Sequence, residues 1–407
     1  MNRHTLITLA LSSLTLVSSF AVSKEANQLI LQQPLQLPDI LQPQNEQLEK
    51  NISDPLVHSQ FIRTGPTIQI AILLDTSNSM DGLISQAKEQ IWKIINELAS
   101  ANKNNKEVTL QVALYEYGKS SLAQQDGYLQ MLAPLTNDLD LLSEQLFNLQ
   151  TQGGEEYAGK VILESIKQLN WSTHKDDLKL VLIAGNESFE QGNIKSVFAL
   201  EKANQANIIV NTMFCGNYQE GINIGWSKAA LLGKGKYLNI NMNENVVHIQ
   251  TPFDDKINQY GAQLNDTYFG YGEIGKQAKI RQTAQDNNAK SSSSSVMAER
   301  NLAKASKQYK TDSWDIVSLY SDDKDKAIEM AKHNSEEFSE LNEDEIIIKL
   351  EQQKKERENI QNKINELKQK RATFIKNKIT DDTEEDFASV LLKNIKQQAI
   401  DNGYNFD

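Results

Sequence analysis

Asp75-Thr76-Ser77-Asn78-Ser79 places one carboxylate and two hydroxyls within five residues. Such a set suits a hard divalent cation, Mg²⁺ or alternatively Mn²⁺ or Ca²⁺, because these ions take oxygen ligands and Mg²⁺ usually retains several waters. If the loop curls, Ser77 and Ser79 turn inward together while Asp75 supplies charge directly or through a water. Asn78 and Met80 would then stand at the rim, facing a partner. A plainer role is open to the same residues, since Ser and Asp cap the first turn of a following helix. The dipole of that helix favours an anion at its N-terminus, and a cation with an incoming carboxylate satisfies both demands.

The loop needs a scaffold on either side, and the flanking sequence supplies one. Ile68, Ile70, Ile72, Leu73 and Leu74 form a nearly continuous apolar run, as expected of a strand buried on both faces of a parallel sheet. Beyond Gly82, apolar residues at Leu83, Ala87, Ile91, Ile94, Ile95 and Leu98 recur at helical spacing. Strands are predicted over 108–115, 128–132, 178–184, 208–214 and 237–240, with helices over 139–149, 157–169, 194–206 and 226–232. Alternation of this kind predicts an α/β fold with a doubly wound, mostly parallel sheet of the Rossmann-like type, whose ligands gather at the carboxyl ends of the strands.

Past about Asn265 the pattern becomes mainly helical. Gly270, Gly272 and Gly275 break the chain, Ser291–Ser295 reads as a loop, and a helix is expected over 296–309. Ile360, Ile364, Leu367 and Phe374 keep a rough heptad between Glu and Lys, so charged amphipathic helices are expected over 343–378. They could fold back on the chain or form a coiled coil with a partner or a second copy.

Composition narrows the chemistry. Of 407 residues 54 are acidic and 42 basic, a net charge of −12, which disfavours a nucleic-acid partner held through phosphates. The single cysteine, Cys215, has no partner for an internal disulfide, and five scattered histidines show no metal-ligand spacing. A nucleophilic role for Cys215 lacks a histidine placed beside it by pattern, and a buried structural thiol is the alternative.

The D-x-S-x-S order after a buried strand resembles the metal-ion-dependent adhesion site of the von Willebrand factor type A domain, and the likeness covers about residues 67–264. The resemblance implies a divalent cation at the edge of the sheet and a protein partner whose acidic side chain completes its coordination. In that family a second loop supplies a threonine hydroxyl. Here the matching turn is Gln152-Gly153-Gly154-Glu155-Glu156-Tyr157, with Glu155 in the threonine's place. A third loop supplies an aspartate, and here Gly185 of Ile183-Ala184-Gly185-Asn186-Glu187-Ser188 stands there. The expected metal set is accordingly Asp75, Ser77, Ser79, Glu155 and Glu187, with Asn78, Met80, Gly154 and Asn186 toward the partner. Gly153–Tyr157, Gly185–Glu187, Phe214–Gly216, Tyr271-Gly272, Ser313–Asp315 and Gly403-Tyr404 also resemble a narrower group of exported bacterial proteins carrying this domain.

Arg3 and His4 precede an apolar run from Leu6 to Val22, and Ser19-Phe20-Ala21 fits a signal-peptidase site, so residues 1–21 are expected to be a signal peptide. No membrane span is expected after cleavage, and the protein would be periplasmic or secreted. Pro34, Pro38, Pro43, Pro55 and Pro66 mark residues 22–66 as a Gln/Pro-rich, largely disordered linker. An α/β domain over 67–265 and a helical region over 266–407 complete the expected organisation. Three functional classes follow: a metal-dependent protein-binding module, a periplasmic hydrolase using loop carboxylates such as Glu155 with Glu156 or Glu187, and a metal-free scaffold.

Overall fold

The computed structural model describes residues 65–240, 249–378 and 387–406, so the expected signal peptide and nearly all of the linker lie outside the described residues. Strand β1 (Thr67–Asp75) is followed by α1 (Asp81–Leu98), the short strands β2 (Ala101–Lys103) and β3 (Lys106–Glu107), and β4 (Thr109–Tyr117). Next come β5 (Leu129–Thr136), α2 (Leu139–Asn148), α3 (Ala158–Gln168), β6 (Leu178–Gly185), α4 (Ser196–Gln205) and β7 (Ile209–Cys215). The small helices α5 (Tyr218–Asn223) and α6 (Trp226–Leu232) lead into β8 (Lys234–Ile240). The main sheet has the order β5-β4-β1-β6-β7-β8. Every pairing in it is parallel except β4 with β5, which is antiparallel and carries register shifts around Leu114.

Period-two alternation explains the two cores. On β1, Ile68, Ile70 and Leu74 join one apolar cluster while Ala71 and Leu73 join the other. β6 does the same, with Leu178, Leu180 and Leu182 against Val181 and Ile183. Helices α1 and α2 cover the first face, and α3, α4 and α6 the second. Both faces of the central strand are therefore dry, and its carboxyl end opens directly into the Asp75 loop.

The helical region comprises α7 (Asp254–Asn265), α8 (Gly272–Ser292), α9 (Ser294–Lys304), α10 (Ile316–Asp322), α11 (Lys324–Asn334), α12 (Glu343–Lys376) and α13 (Phe387–Asp401), closed by β9 (Asn405–Phe406). The serine run predicted as a loop is mostly helix, broken only at Ser293, whose side chain accepts from Val296 N to start α9. The predicted helix over 296–309 is α9 and ends at Lys304. Although α13 lies far along the chain, Phe387, Leu391 and Ile395 belong to the same core cluster as α1 and the sheet. Its first turn is held by α1 itself: Phe387 N donates to Gln86 Oε1 at 3.3 Å and Ala388 N to Gln90 Oε1 at 2.5 Å. Tyr404 then donates to Thr67 O at 2.9 Å, tying the C-terminal strap to the start of β1.

Buried charges make the remaining joins. Arg300, fully buried and 4.4 Å over the Trp92 ring, pairs with Asp140 of α2 and with Asp286 of α8, the latter at 2.9 Å. The Ser313–Asp315 motif is structural. Asp315 caps α10, accepts from Phe269 N at 2.8 Å and pairs with Arg357 of α12 at 2.7 Å. In α12, Ile346, Leu350, Ile360 and Ile364 are buried, and Leu367 packs beside Ile360 and Ile364. The heptad seam anticipated as a self-association surface is thus occupied by the chain's own helices, because Arg357 and Arg371 on the same helix need the buried carboxylates of Asp315 and Asp254.

Candidate functional site

Three loops meet at the carboxyl ends of β1, β4 and β6. The first begins at Asp75, whose side chain is fully buried, and Ser77 N donates to Asp75 Oδ1 at 2.7 Å, curling the loop back. Asp75 Oδ2 is buried and lacks a hydrogen bond from any backbone N–H. Ser77 Oγ lies 3.0 Å from Ser79 Oγ, so the two hydroxyls do converge. The capping role does not apply to either residue as anticipated: Ser77 precedes a short 3-10 turn, Asn78–Met80, and makes no side-chain cap. Asn78 is exposed. Met80 corrects the expectation of a rim residue, since that turn points it into the core beneath α1 at 0 % exposure.

The second loop supplies a carboxylate, but from the neighbouring residue. Glu155 is exposed, whereas Glu156 is buried at 6 % exposure with its carboxyl in hydrogen-bonding contact with Asp75. The phase is set by Tyr157, which stacks edge-on against Tyr128 at 5.5 Å, and by Glu156 N donating to Gln191 Oε1 at 3.2 Å. Of these two adjacent glutamates one side chain goes in and the other out, and the sequence carries no signal for which. The tyrosine anchor that follows was the available clue. Gly118, at φ +82°, completes the enclosure, because a Cβ there would stand 2.6 Å from Asp75 Oδ1 and 2.9 Å from Glu156 Cγ.

The third loop departs furthest from expectation. At Gly185, where an aspartate was expected from the resemblance, a Cβ would lie 2.6 Å from Tyr117 Oη and 3.0 Å from the Trp226 ring. That space is filled. Trp226 Nε1 donates to Glu187 O at 2.7 Å, and Tyr117 Oη donates to Ala184 O at 3.0 Å, so the backbone on both sides of Gly185 is pinned. Asn186 is half-buried and turns toward the first loop, accepting from the exposed Ser79 Oγ at 3.1 Å. Glu187 is exposed, yet its charge is felt by both buried carboxyls. Gly154 is exposed beside this cluster.

Electrostatics follow from that burial. Desolvation pushes the Asp75 carboxyl up to about 6 despite donors from Ser77, and pushes Glu156 up to about 9, with the Asp75 charge as the next cause. One proton therefore stays on the pair at neutral pH. The same two carboxylates raise the Tyr117 phenol, after burial, and burial raises the Cys215 thiol well above its ordinary range. That thiol is packed in the core and unsuited to nucleophilic work. Among the described residues no three His, Cys, Asp or Glu side chains gather as a metal-binding group, so any cation here would rely on two carboxylates and neutral oxygens. A cleft of about 700 Å³ lies elsewhere, lined by Lys276, Ile280, Thr283 and Glu336.

Residues 69–220 match the family of the von Willebrand factor type A domain, and the chain carries such a domain over this stretch. Domains of this family are typically protein-binding modules, usually without catalytic activity, and often bind a divalent metal. Among solved structures, the chain is similar to the conserved hypothetical protein BatB from Bacteroides thetaiotaomicron, with 16 % identity, 43 % of this chain and 90 % of that chain covered, and a TM-score of 0.33. An aerotolerance-related membrane protein from Bacteroides fragilis NCTC 9343 gives 17 % identity, 43 % and 92 % coverage and a TM-score of 0.30. The SpRpn10 VWA domain gives 14 %, 47 % and 94 %, with a TM-score of 0.32. Comparison with curated proteins gives no match.

Proposed function

We propose that this protein is an exported protein-binding module whose three loops hold a divalent cation, Mg²⁺ first, and use it to engage an acidic side chain of a protein partner. The observation that carries the reading is the buried acid pair itself: Asp75 and Glu156 held together out of water, beside two converging hydroxyls. Keeping two acids together and dry is costly, and a cation that takes the place of their shared proton is the compensation that this donor set suits. Asp75, Ser77, Ser79 and Glu156 would hold it, with Glu187 adding charge from the rim. Bound there, the ion supplies an electropositive point able to accept a partner's carboxylate oxygen. The chain's own part is to keep the carboxylates together through Gly118, to exclude water through Tyr117 and Trp226, and to present Asn78, Gly154 and Glu155 around the opening.

The charge count supports this reading. The family's pattern has an aspartate in the first loop and another in the third. Here the third is replaced by glycine while Glu156 restores a carboxylate from the second, so the site keeps two. A hydrolase built on Glu155 with Glu187 is less well supported, because both are exposed and the buried pair is Asp75 with Glu156. Export to the periplasm or medium rests on residues 1–21. Among the described residues no helix is long and apolar enough to cross a membrane.

The test is calorimetric titration of Mg²⁺ and Mn²⁺ into the full chain and into Asp75→Asn, which keeps an acceptor for Ser77 N. Saturable binding by the wild type and its loss in the variant, with unchanged circular dichroism, is expected. Equal affinity in the two proteins sinks the assignment. A cross-linked pull-down from the native envelope with Mg²⁺ or EDTA then tests whether capture depends on the ion.

A further inference from the structure

The third loop has lost the position from which a carboxylate would reach the site, since Gly185 has no room for a side chain between Tyr117 and Trp226. It still touches the site through Asn186. Ser79 Oγ donates to Asn186 Oδ1 at 3.1 Å, and Ser77 Oγ lies 3.0 Å from Ser79 Oγ. A hydroxyl has one proton and two lone pairs, and an amide oxygen can only accept. With the Ser79 proton spent on Asn186, Ser79 turns its lone pairs toward the rest of the cluster, where Ser77 keeps its own proton for Ser79 or for the Asp75 and Glu156 carboxyls that it also hydrogen-bonds. The buried Asp75 carboxyl belongs to the same cluster. Reversing the amide would turn its NH₂ toward Ser79 and occupy a Ser79 lone pair. The loop that presents Asn186 is held by Trp226 Nε1 on Glu187 O at 2.7 Å and by Phe189 N on Ile224 O at 3.1 Å.

We infer that Asn186 is the third loop's contribution to the cation site: a positioning residue that takes the Ser79 proton and thereby orients the Ser79 hydroxyl as a lone-pair donor. This rests on the cation reading above. It assigns Asn186 an inward role in place of the partner-facing one expected from sequence. It also accounts for an amide at this position: it orients the Ser79 hydroxyl without adding a third carboxylate beside the buried pair.

The experiment is Mn²⁺ binding to the full chain, followed by the electron paramagnetic resonance of free Mn²⁺, for wild type, N186A, N186D, S79A and the double variant S79A/N186A. Loss of an outer-shell partner typically weakens metal binding by about 10- to 100-fold, so N186A is expected to raise Kd by about tenfold. N186D, which keeps the acceptor and adds charge, should bind at least as tightly as wild type. Adding N186A to S79A should change Kd by less than about twofold, because the residue acts only through the hydroxyl. A tenfold further loss in the S79A background, an N186D as weak as N186A, or an N186A equal to wild type each overturns the inference while leaving the cation site standing. A wild-type protein that binds no Mn²⁺ sinks the cation reading and the inference with it.

Discussion

Replacing Glu156 by glutamine isolates the buried proton. In the cation-free protein Glu156 is held near 9 against an ordinary 4.5, and Asp75 near 6 against 3.8, in both cases chiefly by burial. Between pH 4.5 and 9 the folded chain therefore retains a proton on Glu156 that the unfolded chain has released, so stability falls as pH rises. Each retained proton costs about 1.4 kcal/mol per pH unit, which makes roughly 3 kcal/mol between pH 5 and pH 7 for Glu156 alone. Solvent screening removes little, since Glu156 is 6 % exposed and Asp75 fully buried. A glutamine side chain in its place would keep the size, donate an amide hydrogen to Asp75 and titrate nowhere in this range. The assay is urea unfolding of wild type and E156Q in EDTA at pH 5, 6, 7 and 8. The stability difference, variant minus wild type, is expected to climb by about 3 kcal/mol from pH 5 to pH 7 and to continue climbing at pH 8. Saturating Mg²⁺ should flatten the wild-type slope, because the ion replaces the proton. A difference that stays constant with pH refutes the shared-proton account.

Two other substitutions probe the frame. Gly185→Asp restores the side chain expected from the resemblance but drives its Cβ to 2.6 Å from Tyr117 Oη. It should destabilise the fold by about 1–3 kcal/mol in urea without tightening Mg²⁺ binding in calorimetry, and a stable, tighter-binding variant contradicts the geometry. Leu391→Ala in α13 removes a side chain at 1 % exposure from the core beneath α1, so a loss of about 2–5 kcal/mol is expected. Calorimetry should show the main transition shifting; an unmoved sheet transition means that α13 folds separately.

The doubly wound sheet was legible because its strands are apolar on both faces, and the Asp75 loop was legible because its position and content agreed. Other features depend on contacts distant in sequence. β5 runs antiparallel, and nothing in Leu129–Thr136 alone distinguishes that from a parallel edge. The long charged stretch of α12 reads as a free amphipathic helix until Arg357 and Arg371 find Asp315 and Asp254, 42 and 117 residues away. At the site, the sequence identified two acidic residues at 155 and 156 but not which faced inward, since that phase is set by the contact between Tyr157 and Tyr128. Met80 illustrates the opposite error: it adjoins the loop in sequence, yet a large apolar side chain beside a sheet edge is drawn into the core by burial.

The crowding at Gly185 links these departures. Trp226 packs edge-on against Phe189 at 4.9 Å and reaches the position that a third-loop carboxylate would occupy. With that corner closed, the second acid reaches Asp75 from the second loop, beside Gly118, whose lack of a Cβ admits Glu156. The indole, the two glycines and the displaced carboxylate are thus packed together around Asp75 as one arrangement. Asn186 fits the same arrangement, because once Gly185 cannot deliver charge from the third loop, what remains for the neighbouring amide is to orient the Ser79 hydroxyl at the rim of the site.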